Sequence, residues 1–190
     1  INTTAGANPQ FKGDKNADNE MSNRDPRLNQ TFKDDFYVQY SEYPGYAQSG
    51  YKRWLFLNKQ HEDDLESTQS FNITDAPIIR LGEVMLNYIE AAAELETLGK
   101  YTVTQEDVDA TINKLRTRAS FGGKLAKLQI IGGQPAVNGV VFDDADRDPD
   151  VPSFLWEIRR ERRVELVYQG FRLNDLKRWR KIHYLNSDLY

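Results

Sequence analysis

The stretch Glu157-Ile158-Arg159-Arg160-Glu161-Arg162-Arg163-Val164-Glu165-Leu166 constrains this chain more than any other, because full charges and core-type residues share one helical repeat. On a helix turning about 100° per residue, Phe154, Leu155, Ile158 and Leu166 fall on one face. Arg162 stands four residues from both Ile158 and Leu166, in the middle of that face, with Glu161 and Glu165 flanking it. A guanidinium in such a place needs a carboxylate, since stranding one partner of a buried pair costs about 3–5 kcal/mol. Two-pronged geometry is favoured. Glu90 or Glu94, on an upstream helix, is the expected partner of Arg162.

Charge patterning weighs against the obvious alternative of a basic arm, which ranks last among the readings. Residues 157–165 hold four arginines and three glutamates, interleaved rather than segregated. A nucleic-acid-binding helix gathers its positive charge on one side. The whole chain of 190 residues carries a formal net charge of −4, which gives no global pull toward nucleic acid or an anionic membrane. The same pairing logic extends to Arg80, Arg116, Arg118, Arg172 and Arg178, with Glu90, Glu161, Glu165 and Asp175 as counter-charges. These ten residues, Arg162 included, form an expected structural ion-pair lattice. With no cysteine, thiol catalysis, disulfides and cysteine-bound zinc are excluded.

The chain divides by composition. Residues 1–76 are rich in turn formers and hold 11 of the 22 aromatic residues, which predicts loops and short strands. Residues 77–121 read as a helical hairpin. Its first helix starts at Pro77, with Asp75 in the cap region, and closes at Gly99. Leu81, Val84/Met85, Tyr88, Ala92 and Leu95 step by three and four along it and form its expected buried face. The second helix opens on Thr104-Gln105-Glu106-Asp107, a capping box with Asp in place of Glu. It carries Val108, Ile112, Leu115 and Ala119 as its stripe and ends at Gly122-Gly123. Residues 122–152 read as a loop with short strands at 128–131 and 140–142. Residues 153–190 read as two helices, Ser153 to Gln169 and Asn174 to Tyr184, broken at Gly170.

Four stretches, in order, resemble the SusD/RagB family. Ser22-Asn23-Arg24-Asp25-Pro26-Arg27-Leu28 is similar to its RDPR-type turn, and Pro77 to Ala91 to its IRLAEVYLNYAEA-like helix, with Gly82 where the family has alanine. Ile112-Asn113-Lys114-Leu115-Arg116-Thr117-Arg118-Ala119 resembles its IN-x-hydrophobic-RxRAG element. Glu161 to Leu166, Gly170-Phe171-Arg172 and Asp175-Leu176-Lys177-Arg178-Trp179 resemble its ERR-x-EL…G-x-R…DL-x-RW signature. The resemblance implies a mostly α, tetratricopeptide-like helical scaffold with long aromatic-rich loop insertions. The chain reads as a single domain, the C-terminal portion of such a protein. The resemblance further implies a surface lipoprotein of the outer membrane, anchored through a lipid site that this chain lacks, that captures glycans or peptides and delivers them to a TonB-dependent SusC-like transporter. Such proteins are not enzymes, and no cofactor is expected.

Carbohydrate recognition stacks flat rings on sugars and orients hydroxyls with polar groups. Tyr40, Tyr43, Tyr46, Tyr51 and Trp54, interleaved with Gln39, Ser41, Gln48 and Ser49 around Pro44-Gly45, are therefore the candidate ligand contacts. The Asp143–Asp150 run has carboxylates suited to calcium, but Pro149 and Leu155 occupy positions where an EF-hand needs Gly and Glu, so it reads as a solvated acidic loop. His61 and His183 sit in no metal-ligand pattern, and no nucleophile or phosphate-loop motif is present. Two other readings stand beside nutrient capture. One is a helical-repeat docking module without a small-molecule ligand; the other is a glycoside hydrolase using a carboxylate pair.

Overall fold

The computed structural model describes Lys12, Asn19, Ser22 and residues 24–32 and 77–186. The chain forms two compact units, Ile1–Ile78 and Ile79–Tyr190. In the first, the short helix α1 (Arg27–Thr31) is set by Asp25. Its carboxylate accepts the Arg27 backbone N–H at 2.9 Å and both prongs of the Arg27 guanidinium at 3.0 and 2.6 Å. Thr31 closes the turn by donating its hydroxyl to the Arg27 carbonyl at 2.8 Å.

The second unit is mostly helical. Helix α2 spans Leu81–Thr97, starting four residues after Pro77; Arg80, extended at φ −111° and ψ 148°, is its N-cap. Ile78 and Ile79, β-branched and disfavoured in a helical turn, lie outside it. The helix stops at Leu98-Gly99, where Gly99 adopts φ +65°. Its buried face shares Ala92 and the half-buried Met85 with the expected stripe and otherwise differs from it. Leu86, Ile89, Ala92 and Ala93 point inward, whereas Leu81, Val84, Tyr88 and Leu95 are 68%, 50%, 50% and 42% exposed. The helix therefore carries two apolar faces, and packing against the second half of the unit selects the one that also holds Glu90.

The capping box forms as the sequence predicts: Thr104 Oγ1 accepts the Asp107 N–H at 3.2 Å, and Asp107 accepts the Thr104 N–H at 2.9 Å. The helix it opens is broken, however, into α3 (Gln105–Ala110) and α4 (Ile112–Arg116) at Thr111, whose φ −122° and ψ −91° are not helical. Val108, Ile112 and Leu115 are buried, while Ala119 is exposed in a 3₁₀ turn, Ala119–Phe121.

Residues 129–141 form a three-stranded antiparallel sheet in the order β1-β2-β3: β1 (Gln129–Ile131), β2 (Gln134–Val137) and β3 (Val140–Val141). The central strand is absent from the sequence reading because it contains Pro135, which lacks a ladder donor. Pro135 still accepts the Phe142 N–H at 3.0 Å. Both turns are two residues with positive φ at each: Gly132-Gly133 (58° and 77°) and Asn138-Gly139 (52° and 78°). These are the dipeptides a tight hairpin requires. Two side-chain amides join this sheet to the helices. Asn113 accepts the Leu128 N–H at 2.7 Å and donates to its carbonyl at 2.8 Å. Gln105 donates to the same carbonyl at 3.1 Å and accepts the Ile130 N–H at 2.9 Å.

Helix α5 spans Ser153–Glu165 and α6 spans Phe171–Arg178, followed by a 3₁₀ turn at Ile182–Leu185. Gly170, at φ +83°, turns the chain between them. Phe154, Leu155, Ile158 and Leu166 are buried with the inner faces of α2, α3 and α4 in one core. At about 25 cal/mol per Å² of apolar surface removed from water, such packing dominates the stability of the unit. Among the described residues, no helix is long and apolar enough to cross a membrane.

Candidate functional site

The charged side chains of α5 are buried and paired on two sides. Toward α4, Arg116 lies between Glu157 and Glu161. Its Nη2 reaches Glu157 Oε1 at 2.9 Å and Glu161 Oε2 at 2.8 Å, and its Nε reaches Glu161 at 3.2 Å. Glu161 is fully buried and Arg116 is 6% exposed, so each supplies the charge that the other's desolvation demands. Arg118 pairs with Glu165 at 2.6 Å and lies over the Phe121 ring at 4.6 Å.

Toward α2 and α6, Arg162 is 4% exposed. Its Nε donates to Asp175 Oδ2 at 2.8 Å and its Nη1 to Asn87 Oδ1 at 2.7 Å. Of the two expected partners, Glu90 does pair with Arg162, at 3.7 Å and so more loosely than Asp175, whereas Glu94 binds Arg159 at 2.7 Å. The physical reason is the Gly170 turn, which folds α6 back and puts Asp175 nearer than the carboxylates of α2. Arg178 ties Asp175 (2.9 Å) to Glu90 (2.5 Å). Burial opposes the charge of Arg178, but its hydrogen bonds to Glu90 and Asp175 outweigh it and raise its pKa. Trp179 donates its indole N–H to the other oxygen of Glu90.

Arg80 is the backbone N-cap of α2, and one member of the expected lattice stands apart. Arg172 makes no ion pair among the described residues; it lies 5.8 Å from the Trp179 ring centroid. Glu157, Arg159, Asn87 and Trp179 belong to the network without having been anticipated, and Glu94, expected beside Arg162, joins it through Arg159. The available signal was the four-residue spacing of Glu157 and Glu161 on one helix face.

A smaller cluster joins α2 to α3. Tyr88 and Tyr101 donate their hydroxyls to Asp107 at 2.9 and 3.1 Å. Burial works to raise the Asp107 pKa, but the bonds from Thr104 and the two tyrosines lower it on balance. Exposed as they are, these rings hold a helix junction, and their hydroxyls are already committed.

The acidic loop is not uniformly solvated. Asp143 pairs with Arg147 at 2.8 Å, and Asp144 accepts the Trp156 indole N–H at 3.0 Å. Asp148 is 4% exposed, accepting from Lys181 at 2.6 Å and from the Tyr184 hydroxyl. The cause is the C-terminal 3₁₀ turn, which places Lys181 and Tyr184 over the loop. Among the described residues, no three His, Asp or Glu side chains are grouped to hold a metal ion. His183 is exposed and packs edge-on against Tyr184 at 4.9 Å. Tyr40, Tyr43, Tyr46, Tyr51, Trp54 and His61 lie outside the described residues.

Known proteins supply the frame for these features. No curated protein and no solved structure matches the chain significantly. The SusD family, by contrast, matches residues 2–188, nearly the full length and all four signature stretches. The chain belongs to the SusD family.

Proposed function

We propose that this protein captures a glycan, or alternatively a peptide, at the outer-membrane surface and passes it to a TonB-dependent transporter of the SusC type without catalysing any reaction on it. Proteins of the family bind nutrients, glycans among them, at the cell surface. The match to that family over residues 2–188 is the observation that carries the reading. The paired state of the α5 carboxylates supports a non-catalytic role. Glu157, Glu161 and Glu165 each face an arginine and are nearly shut off from solvent, so none is presented to a glycosidic bond.

Ligand contact is assigned to Tyr40, Tyr43, Tyr46, Tyr51 and Trp54, the densest run of rings and hydrogen-bonding side chains in the sequence. The test is affinity electrophoresis and a glycan array on the full-length protein. Retardation by at least one polysaccharide is expected, weakened about tenfold or more in Tyr43→Ala, Tyr46→Ala or Trp54→Ala. Absence of binding to every glycan and peptide tested would overturn the reading, as would release of reducing sugar. Binding unchanged in all three variants would overturn the assigned region alone. Co-purification of a large β-barrel partner tests the transporter.

A further inference from the structure

The α5–α6 face carries more positive charge than its partners neutralise. Arg162, Arg178 and Arg159 are matched by Asp175, Glu90 and Glu94. Arg163 and Arg172 make no ion pair among the described residues. They come from different helices yet feel one another. Burial, and next to it the charge of Arg163, push the Arg172 pKa below the ordinary arginine value. Arg172 is half-buried and makes no ion pair of its own, so the nearby charge of Asp175 offsets only part of the cost of burial.

The same indole gathers this charge. Around the Trp179 ring lie the guanidinium carbons of Arg159, Arg178 and Arg172, at 4.6, 5.0 and 5.8 Å from its centroid. Arg159 is 9% exposed and spends only Nη2 on Glu94; its Nε and Nη1 have no hydrogen-bond partner. Buried donors are almost always paired, so two left open on one side chain are exceptional. Two guanidinium groups without an ion pair of their own, one of them beside the Trp179 ring together with the uncommitted N–H groups of Arg159, are complementary to a doubly charged oxyanion.

We propose that Arg163 and Arg172, backed by Arg159 and Trp179, form a binding site for a tetrahedral oxyanion, sulfate or phosphate, either free or as the ester on a saccharide. The proposal rests on none of the aromatic ligand candidates Tyr40 to Trp54.

The test is a ¹H–¹⁵N titration of the full chain with sodium sulfate, ionic strength held constant with chloride. The Trp179 indole N–H and the Arg159 and Arg172 Nε–H signals are expected to shift and saturate, while the Trp156 indole stays still. Arg172→Gln and Arg163→Gln should each weaken sulfate about tenfold. Shifts that never saturate, or affinity unchanged in both variants, would mean an adventitious ion only and overturn the site. Should a variant fail to fold, the wild-type shift map decides on its own terms, and shifts scattered away from Trp179 sink the proposal. Glucose 6-sulfate, with glucose as its control, separates the two sources. Tighter binding than inorganic sulfate identifies an esterified saccharide, and equal binding identifies the free ion.

Discussion

Replacing Arg162 with methionine removes the central cation between α5 and α6 while keeping an apolar stem of similar reach. The Arg162 and Asp175 side chains are 5% and 7% exposed and meet at 2.8 Å. For charge centres about 4 Å apart at an effective dielectric of about 20, the gross attraction is about 4 kcal/mol. Stranding a fully buried partner costs about 3–5 kcal/mol. Asp175 is not fully stranded here, because Arg178 still donates to it at 2.9 and 3.0 Å. Asn87, which is exposed, regains water when it loses Arg162. The lower end of the range, about 3 kcal/mol, is therefore expected. With a urea slope of about 2 kcal/mol per M, the midpoint drops by about 1.5 M. Urea unfolding followed by circular dichroism and tryptophan fluorescence measures it for wild type, Arg162→Met, Asp175→Ala and the double variant. The double variant should be about 2 kcal/mol less damaging than the sum of the two singles, because each single has already broken the same pair. A loss under about 1 kcal/mol for Arg162→Met, or additivity within about 0.5 kcal/mol, would refute the claim that this pair is coupled in the core.

Three further outcomes follow from the geometry. For Asp148, burial alone would raise the pKa, but the hydrogen bonds from Lys181 and Tyr184 bring it down to about 2. Because the folded value lies below that of the unfolded chain, the stabilisation is fully present above pH ~4 and is lost as pH falls toward ~2. The stability gap between wild type and Asp148→Asn, measured by urea unfolding across that window, should close on acidification; a pH-independent gap contradicts the assignment. Gly82→Ala should raise thermal stability by about 0.3–1 kcal/mol. The new methyl meets Glu165 Oε1 and Leu115 Cδ2 at 3.5 Å, ordinary contact distances, while the helix loses a flexible residue; a drop in Tm by calorimetry would show hidden crowding. Asp107→Ala should lose about 1–2 kcal/mol, since it opens the capping box and frees two tyrosine hydroxyls together; a change below about 0.3 kcal/mol in chemical denaturation refutes that joint role.

Features governed by a few neighbouring residues were readable from the sequence alone. The Thr104–Asp107 box, the stop at Gly99 and the turn at Gly170 depend on positions within about four residues of each other, and all three appear where the sequence puts them. The hairpin dipeptides Gly132-Gly133 and Asn138-Gly139 were equally local, yet Pro135 between them masked the strand that they bound. The mostly helical class and the family also came from the order of short motifs. Tertiary structure decided three other matters. It chose which apolar face of α2 is buried: Leu86 and Ile89 rather than Leu81 and Val84. It added Asp175 as the nearest partner of Arg162, ahead of the expected Glu90, and it drew Asp148 out of solvent through Lys181 and Tyr184. In these cases the deciding partner lies well outside the local window, 13 residues away for Arg162 and Asp175 and 33 for Asp148 and Lys181. Helical periodicity says which side chains share a face. It carries no information on what the folded chain brings against that face, and burial free energy depends on that partner.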